Sequence, residues 1–360
     1  MQQVIIDFGE VPLFGHSVGV RLYGYGLMLV LGFLCGIGLA RWRARRFGED
    51  PDTVTTMGLL ALLGGVVGAR LAFVIERWDS QFARQDNPLL EVFNITSGGL
   101  IYYGGVALGT AVVLVYLWKR RVPIRRYLDI IAPSLMIGLA FGRAGCTLNG
   151  CCHGGPCREG HPLAMRFPYA AKPLLRVGSD GNVFGGASVT PVFAHQVATG
   201  RLTGAAAPDW LFGAGAANRS ILKSPADLTE AEAQKALKLR SLPVKPAQIL
   251  GIVNALLIAG VLLVFTRLRR REGQVFALMV ICYPITRFVL ESIRGDNPHD
   301  VLSLALTHNQ YTSLGLMAFG VMLWFLLRRL PPAAGPFWSD RLAAVRSHPP
   351  RPHRQRKGKR

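Results

Sequence analysis

Acidic side chains are scarce in this chain of 360 residues, where 21 Asp and Glu stand against 41 Lys and Arg. The basic residues are themselves missing from long stretches and sit in short clusters between them. This argues against a soluble nucleic-acid binder, which spreads its charge over amphipathic surfaces, and no nucleic-acid partner is expected. Cysteine is also sparse: six in the whole chain are too few for a disulfide scaffold. Two of them, Cys35 and Cys282, lie inside apolar runs and are expected to pack as small hydrophobes. The opening MQQVIIDFGEVPLFGHSVGVR lacks a basic leader and a small-residue cleavage site, so the first apolar span is expected to be retained.

What the chain does have is hydrophobicity, 50% by residue, with a positive mean hydropathy. A bilayer crossing needs about 20 mostly apolar residues. Seven stretches qualify: 21–40, 56–76, 98–118, 127–144, 247–266, 274–291 and 312–327. Basic clusters follow the first (Arg41, Arg43, Arg45, Arg46), third (Lys119, Arg120, Arg121, Arg125, Arg126), fifth (Arg267, Arg269, Arg270, Arg271) and seventh (Arg328, Arg329). The other connections are mixed or acidic, with Asp7 and Glu10 before the first span and Asp79 and Asp86 after the second. Seven spans with the N-terminus outside and the C-terminus cytoplasmic satisfy every loop.

The expected fold is therefore an all-α integral membrane protein. Residues 1–144 hold four spans, 145–245 an external cap insert, 246–330 three more spans, and 331–360 a basic cytoplasmic tail. The insert has no 18-residue apolar run and is rich in Gly and Pro, so it reads as loop-rich. Within it, SPADLTEAEAQKALKLR (Ser224 to Arg240) predicts a helix, with Ser as N-cap, acids early and basic residues late. The tail RSHPPRPHRQRKGKR is expected to be solvated, its charge being also suited to anionic membrane lipids.

Depth along the spans brings polar groups together. With this orientation Tyr23, Tyr25, Arg70, Tyr102, Tyr103, Arg143, Tyr283, Arg287 and Glu291 all fall in the outer leaflet. Tyr283, Arg287, Glu291 and Arg294 follow one another at steps of four, four and three, which places them on one helical face. An arginine at a span centre costs about 2.5–3.5 kcal/mol on insertion scales, so several together with a carboxylate mark a function. Arginine binds phosphate bidentately, and a phospholipid headgroup is the indicated anion. The plainer readings are a span-end ion pair for Arg287 and Glu291, and snorkelling for Arg70 and Arg143. The glycines of GGVVGAR, SGGLIYYGG and GLAFGRAG suit close helix contact.

Four of these stretches resemble the prolipoprotein diacylglyceryl transferase family: Tyr25 to Met28, Gly98 to Gly105, Gly142 to Gly150 and Tyr283 to Arg294. Leu163 to Pro168 is similar to the segment that follows the arginine motif there. The resemblance covers most of residues 20–330 outside the insert. It implies a multi-pass enzyme of the bacterial inner membrane, without cofactor. Such an enzyme moves the diacylglyceryl group of phosphatidylglycerol to the lipobox cysteine thiol of a preprolipoprotein signal peptide. By position, Arg143 would contact the headgroup with Arg287 and Glu291 beside it. Tyr25, Asn149, Gly150 and Gly154 would line the site, joined by Tyr283, Arg70 and Arg294. The chain departs from the family's pattern at Tyr103, which stands where the family has histidine, and at Cys146 and Cys151, where it has an amide and a carboxylate. Tyrosine, with a pKa near 10, is a poor base. Glu291 is the substitute base that this reading names.

CTLNGCCHGGPC offers Cys146, Cys151, Cys152, His153 and Cys157. The spacing is not a pair of CxxC motifs, so no metal is expected, and an external position favours disulfides among the four cysteines. Spacing does not fix the pairing, and free thiols acting in catalysis stay open. Three other functions fit the span pattern: phosphatidylglycerol binding or transport without chemistry, a related transferase with another acceptor, and a metal-dependent membrane hydrolase.

Overall fold

The computed structural model describes residues 4–13, 16–82, 92–93, 99–170, 176–177, 183–184, 189–212, 222–223, 227–236, 238–295 and 306–330. Asp86 and the tail read from 331 onward lie outside them. The described chain is mostly helical. Its long helices are α1 (Gly24–Phe47), α2 (Pro51–Arg77), α3 (Tyr102–Lys119), α4 (Ile124–Asn149), α7 (Ala247–Leu268), α8 (Gln274–Glu291) and α9 (His308–Arg329). Two short helices, α5 (Pro191–Ala198) and α6 (Glu230–Ala236), belong to the insert.

Among the described residues, six helices are long and apolar enough to cross a membrane: α1, α2 with its following turn, α4, α7, α8 and α9. The third expected span does form a helix, α3, but its paired tyrosines, its glycines and its terminal lysine leave it outside that group. Many large apolar side chains on these helices face outward; Ile75 is 78% and Leu257 64% exposed. A water-soluble surface does not carry apolar area on that scale, whereas lipid does. The protein is a multi-pass membrane protein.

The expectation of an all-helical chain needs one amendment. β1 (Val4–Leu13) and β2 (His16–Tyr23) form an antiparallel hairpin, with Asp7 paired to Arg21 and Val4 to Tyr23. Residues 21–23, assigned above to the first span, are thus strand, and α1 starts at Gly24. A second small ribbon pairs β3 (Arg176–Val177) with β4 (Val183–Phe184).

The chain divides into two compact units. One holds residues 40–130, 263–275 and those from 326 onward. Here α2 packs on α3 through facing glycines: a Cβ at Gly68 would press into Gly104 O, and one at Gly64 would lie 3.2 Å from Gly109 Cα. Without an apolar gain from leaving lipid, such backbone approach is what drives helix association in a membrane. The same unit pairs its basic clusters internally. Arg269 Nη1 lies 2.5 Å from Asp129 Oδ2, Arg126 bridges Glu49 and Glu272, and Arg43 donates to the Ile130 and Asp129 carbonyls. Several charges that sequence reads as loop decoration are therefore buried and satisfied.

The other unit holds residues up to 39, 131–262 and 276–325. The insert lies wholly within it and has a core of its own, built on Tyr169, Phe193, Val197, Leu202, Leu211 and Leu228. Its two ends pair with each other: Met165 bridges Val244, and Pro168 bridges Arg240. That pairing shortens the helix expected over 224–240. Leu239 accepts from Tyr169 N and Arg240 is drawn into the bridge, so α6 stops at Ala236. Its start is set by a Thr229-x-x-Glu232 capping box, with Thr229 N donating to Glu232 Oε2 at 2.9 Å, and the expected N-cap Ser224 lies outside the described residues.

Candidate functional site

Helical spacing alone places two of the charged groups of α8. Arg287 and Glu291 lie one turn apart, with Nη2 3.3 Å from Oε2. The helix ends at Glu291, and Arg294 is not its next turn as the spacing suggested. Instead Arg294 leaves the helix to form an antiparallel bridge with Gly154, while its guanidinium returns to Glu291 Oε2 at 3.6 Å. The other carboxylate oxygen, Oε1, accepts from Asn309 Nδ2 at 2.8 Å and from Thr307 Oγ1 at 3.5 Å. Glu291 is fully buried. A buried carboxylate enclosed by two cations and two neutral donors is suited to holding arginines in place.

Arg143 stands on α4, two turns before its end. Its stem lies flat on α7, since a Cβ at Gly251 would be 3.2 Å from Arg143 Cδ. Among the described residues its guanidinium has neither a hydrogen bond nor a carboxylate partner. Tyr25, at the start of α1, packs its ring on Gly145, where a Cβ would be 2.9 Å from Tyr25 Cδ2. Its hydroxyl interacts electrostatically with Arg143 and with Cys146, Cys151 and Cys152.

The end of α4 turns on Gly150, whose φ of +72° is open to glycine. Gly150 N and Cys151 N both donate to Cys146 O. Two residues later Cys152 also adopts a left-handed φ, +54°, which is strained for a side chain. These two reversals fold the loop back over the helix end. The sulfurs of Cys146, Cys151 and Cys152 consequently lie within 4.8 Å of one another. Gln248 of α7 pins the loop by donating to Cys151 O at 2.9 Å, and the Asn149 side chain bonds the Cys151 thiol. Hydrogen bonds from the Cys146 and Cys151 thiols, aided by the Arg294 and Arg143 guanidiniums, hold the Cys152 thiol well below its ordinary pKa. All six cysteines are free thiols, and Cys157 lies outside the cluster.

The remaining expected residues fall into two sets. Gly154 is buried under the chain that enters α7, since a Cβ there would lie 2.5 Å from Lys245 O, so its size is required by packing. Tyr283 is half-buried on α8, two turns before Glu291. Arg70 and Tyr103 belong to the other unit. Arg70 is buried, donates to the carbonyls of Val92 and Gly99, and lies over the rings of Phe73 and Phe82. Tyr103 is in the first turn of α3, half-exposed and edge-on to Tyr102.

Sequence reading missed Gly251, Gln248, Thr307 and Asn309. The last two had a legible signal. THNQ is a capping box in which Gln310 Oε1 accepts from Thr307 N at 2.9 Å, and it moves the start of α9 back to His308. His153, a candidate ligand by sequence, is buried, turns Nδ1 to Gly154 O at 3.0 Å and packs its ring on His195.

A family model described as prolipoprotein diacylglyceryl transferase matches residues 13–326. Among curated proteins, one from Rhodopirellula baltica is 37% identical over 177 residues, which is 49% of this chain and 36% of that protein. One from Clostridium tetani is 25% identical over 316 residues, 87% of this chain and 96% of that protein. One from Corynebacterium diphtheriae is 28% identical over 314 residues, 87% and 91% of the two chains. All three carry the name phosphatidylglycerol–prolipoprotein diacylglyceryl transferase. The chain thus spans about a third of the first of these relatives and nearly all of the other two.

Proposed function

The chain belongs to the prolipoprotein diacylglyceryl transferase family, and from that premise we propose that it transfers the diacylglyceryl group of phosphatidylglycerol to the cysteine thiol of preprolipoprotein signal peptides. The products are a thioether and glycerol phosphate. The observation that carries the proposal is Arg143. In a membrane helix, beside other arginines that are all engaged by protein groups, its guanidinium has no hydrogen bond or ion pair among the described residues. A cation held in that way is complementary to an anionic ligand.

In this reading Arg143 takes the phosphate. The acceptor sulfur attacks the glyceryl carbon that bears the phosphoester oxygen. As that bond breaks, a phosphate monoester gains negative charge, so a guanidinium aimed at it stabilises the transition state more than the ground state. Arg287 and Arg294 add positive potential, and Glu291 fixes both. Tyr25 and Asn149 border the same region, Tyr283 is assigned to it from its place on the helix of Arg287, and Gly150 and Gly154 give the backbone its course. Arg70 shapes the approach to α3 by holding the carbonyls before it. The orientation is N-terminus out and tail cytoplasmic in a bacterial inner membrane, supported by the basic clusters after every second span.

The test is reconstitution in phosphatidylglycerol vesicles with a lipobox peptide, read by peptide mass and by released glycerol phosphate. A diacylglyceryl mass shift that disappears with Arg143→Ala is the expected result. Lipid exchange without either product would instead make the protein a phosphatidylglycerol carrier.

A further inference from the structure

We propose that Cys146, Cys151 and Cys152 form a three-thiolate site for one zinc ion, and that the open fourth position takes the acceptor thiol. The second half rests on the transferase reading above; the first does not. The three sulfurs lie within 4.8 Å of one another around the end of α4. Zinc–sulfur bonds of about 2.3 Å in a tetrahedral arrangement put the sulfurs about 3.8 Å apart, a small contraction from what the loop already provides. The loop is also shaped for this convergence. Gly150 and Cys152 both reverse the backbone through positive φ, and a non-glycine residue is held there only when its surroundings demand it.

The groups around the thiols suit a metal thiolate. Gln248 and Asn149 fix Cys151 through its carbonyl and its sulfur, as outer partners of a ligand do. Arg143 and Arg294 act electrostatically on Cys152. Zinc with three thiolates carries one negative charge, and a fourth thiolate makes it two, so neighbouring guanidiniums stabilise the loaded site. Three protein ligands with a vacant position is the arrangement of catalytic rather than structural zinc.

The site answers a chemical need. The acceptor thiol must lose its proton, Tyr103 is a poor base, and Glu291 is enclosed by its partners. A thiol that coordinates zinc is deprotonated outright, its proton passing to solvent. The bound sulfur then forms the bond to the glyceryl carbon with its own electron pair. The carbon–oxygen bond breaks, the oxygen keeps that pair, and glycerol phosphate departs beside Arg143. No oxidant or reductant is required.

The experiment uses the full chain purified in detergent from zinc-supplemented cells. Elemental analysis should find one zinc per chain, absent in Cys146→Ser and Cys152→Ser and retained in Cys157→Ser. Cobalt(II) exchanged into the wild type should show intense sulfur-to-metal charge-transfer and tetrahedral d–d bands, a readout that does not depend on whether the serine variants fold. A wild-type protein without stoichiometric metal, with a disulfide within the trio or three freely alkylated thiols, overturns the site, as does one copper(I) per chain in place of zinc. If zinc is present but the stripped protein lipidates the peptide at an undiminished rate, the acceptor role fails and the transferase reading stands. If the zinc-loaded protein makes no lipidated peptide while a family member does, the transferase reading fails and the metal site stands.

Discussion

Arg287 and Glu291 face each other across one turn of α8, Nη2 3.3 Å from Oε2, with the carboxylate entirely enclosed and also shared with Arg294. Their pairing engages Arg287 and Arg294, whereas the Arg143 guanidinium has no hydrogen bond or carboxylate partner among the described residues, which is why the proposed phosphate contact is assigned to it.

Replacing Glu291 by Gln strands both arginines. Breaking a buried ion pair from one side costs about 3–5 kcal/mol. A lowered unfolding temperature in detergent is therefore expected together with lost lipidation. A Glu291→Gln protein that melts like wild type but has lost one limb of its pH–rate profile would point to a base instead.

Arg143→Lys keeps the charge but not the planar fork that grips two phosphate oxygens. Its kcat/KM is expected to fall by on the order of 100-fold, with Arg143→Ala lower still, while the unfolding temperature changes little. Equal activity of the lysine variant would remove bidentate phosphate contact from the mechanism.

Gly68→Val should separate α2 from α3. The new Cβ meets the Gly104 carbonyl and Leu108 Cβ, and the backbone cannot retreat as a flexible side chain can. Overpacking of this kind costs about 1–3 kcal/mol, measurable as reduced thermal stability. Gly26→Ala, where a Cβ meets nothing within 4 Å, is the matched control.

Asp129→Asn removes the counter-ion of Arg269 and the charged acceptor of Gly273 N, 2.8 Å away. Because Asp129 is completely buried, a loss of about 3–5 kcal/mol is expected. Partial recovery in the double variant Asp129→Asn with Arg269→Met would show that the stranded arginine causes the loss.

In the insert, Glu232 has its pKa lowered, first by the Thr229 backbone N–H, then by the Thr229 hydroxyl and Lys223. A depressed carboxylate stabilises the fold above its unfolded pKa and loses that contribution as pH falls through the folded value. Amide protection factors across α6, corrected for the intrinsic pH dependence of exchange, should therefore fall in the acid range below pH 4 and stay constant between pH 6 and 8. Glu232→Gln should have lower protection factors at neutral pH, and these should change less on acidification.

Where the reading of the chain succeeded, the signal was local. Apolar runs marked all the long helices to within about two turns at each end, because a bilayer imposes length and composition on any segment that crosses it. The i, i+4 spacing of Arg287 and Glu291 needed only helical geometry. Where it failed, the cause was a partner distant in sequence. Arg294 left its helix because Gly154 offered a strand-like bridge, and the predicted 224–240 helix was cut short by pairing with Pro168 and Tyr169.

By itself, then, the sequence determined that this is a membrane protein of the transferase family with arginines inside its apolar spans, since hydropathy, charge spacing and motif identity are properties of a string. Only the tertiary structure decided which of those arginines are satisfied by protein groups. It also decided that three cysteines spaced unlike a zinc motif meet at one point, because backbone reversals at Gly150 and Cys152 bring together what linear spacing keeps apart.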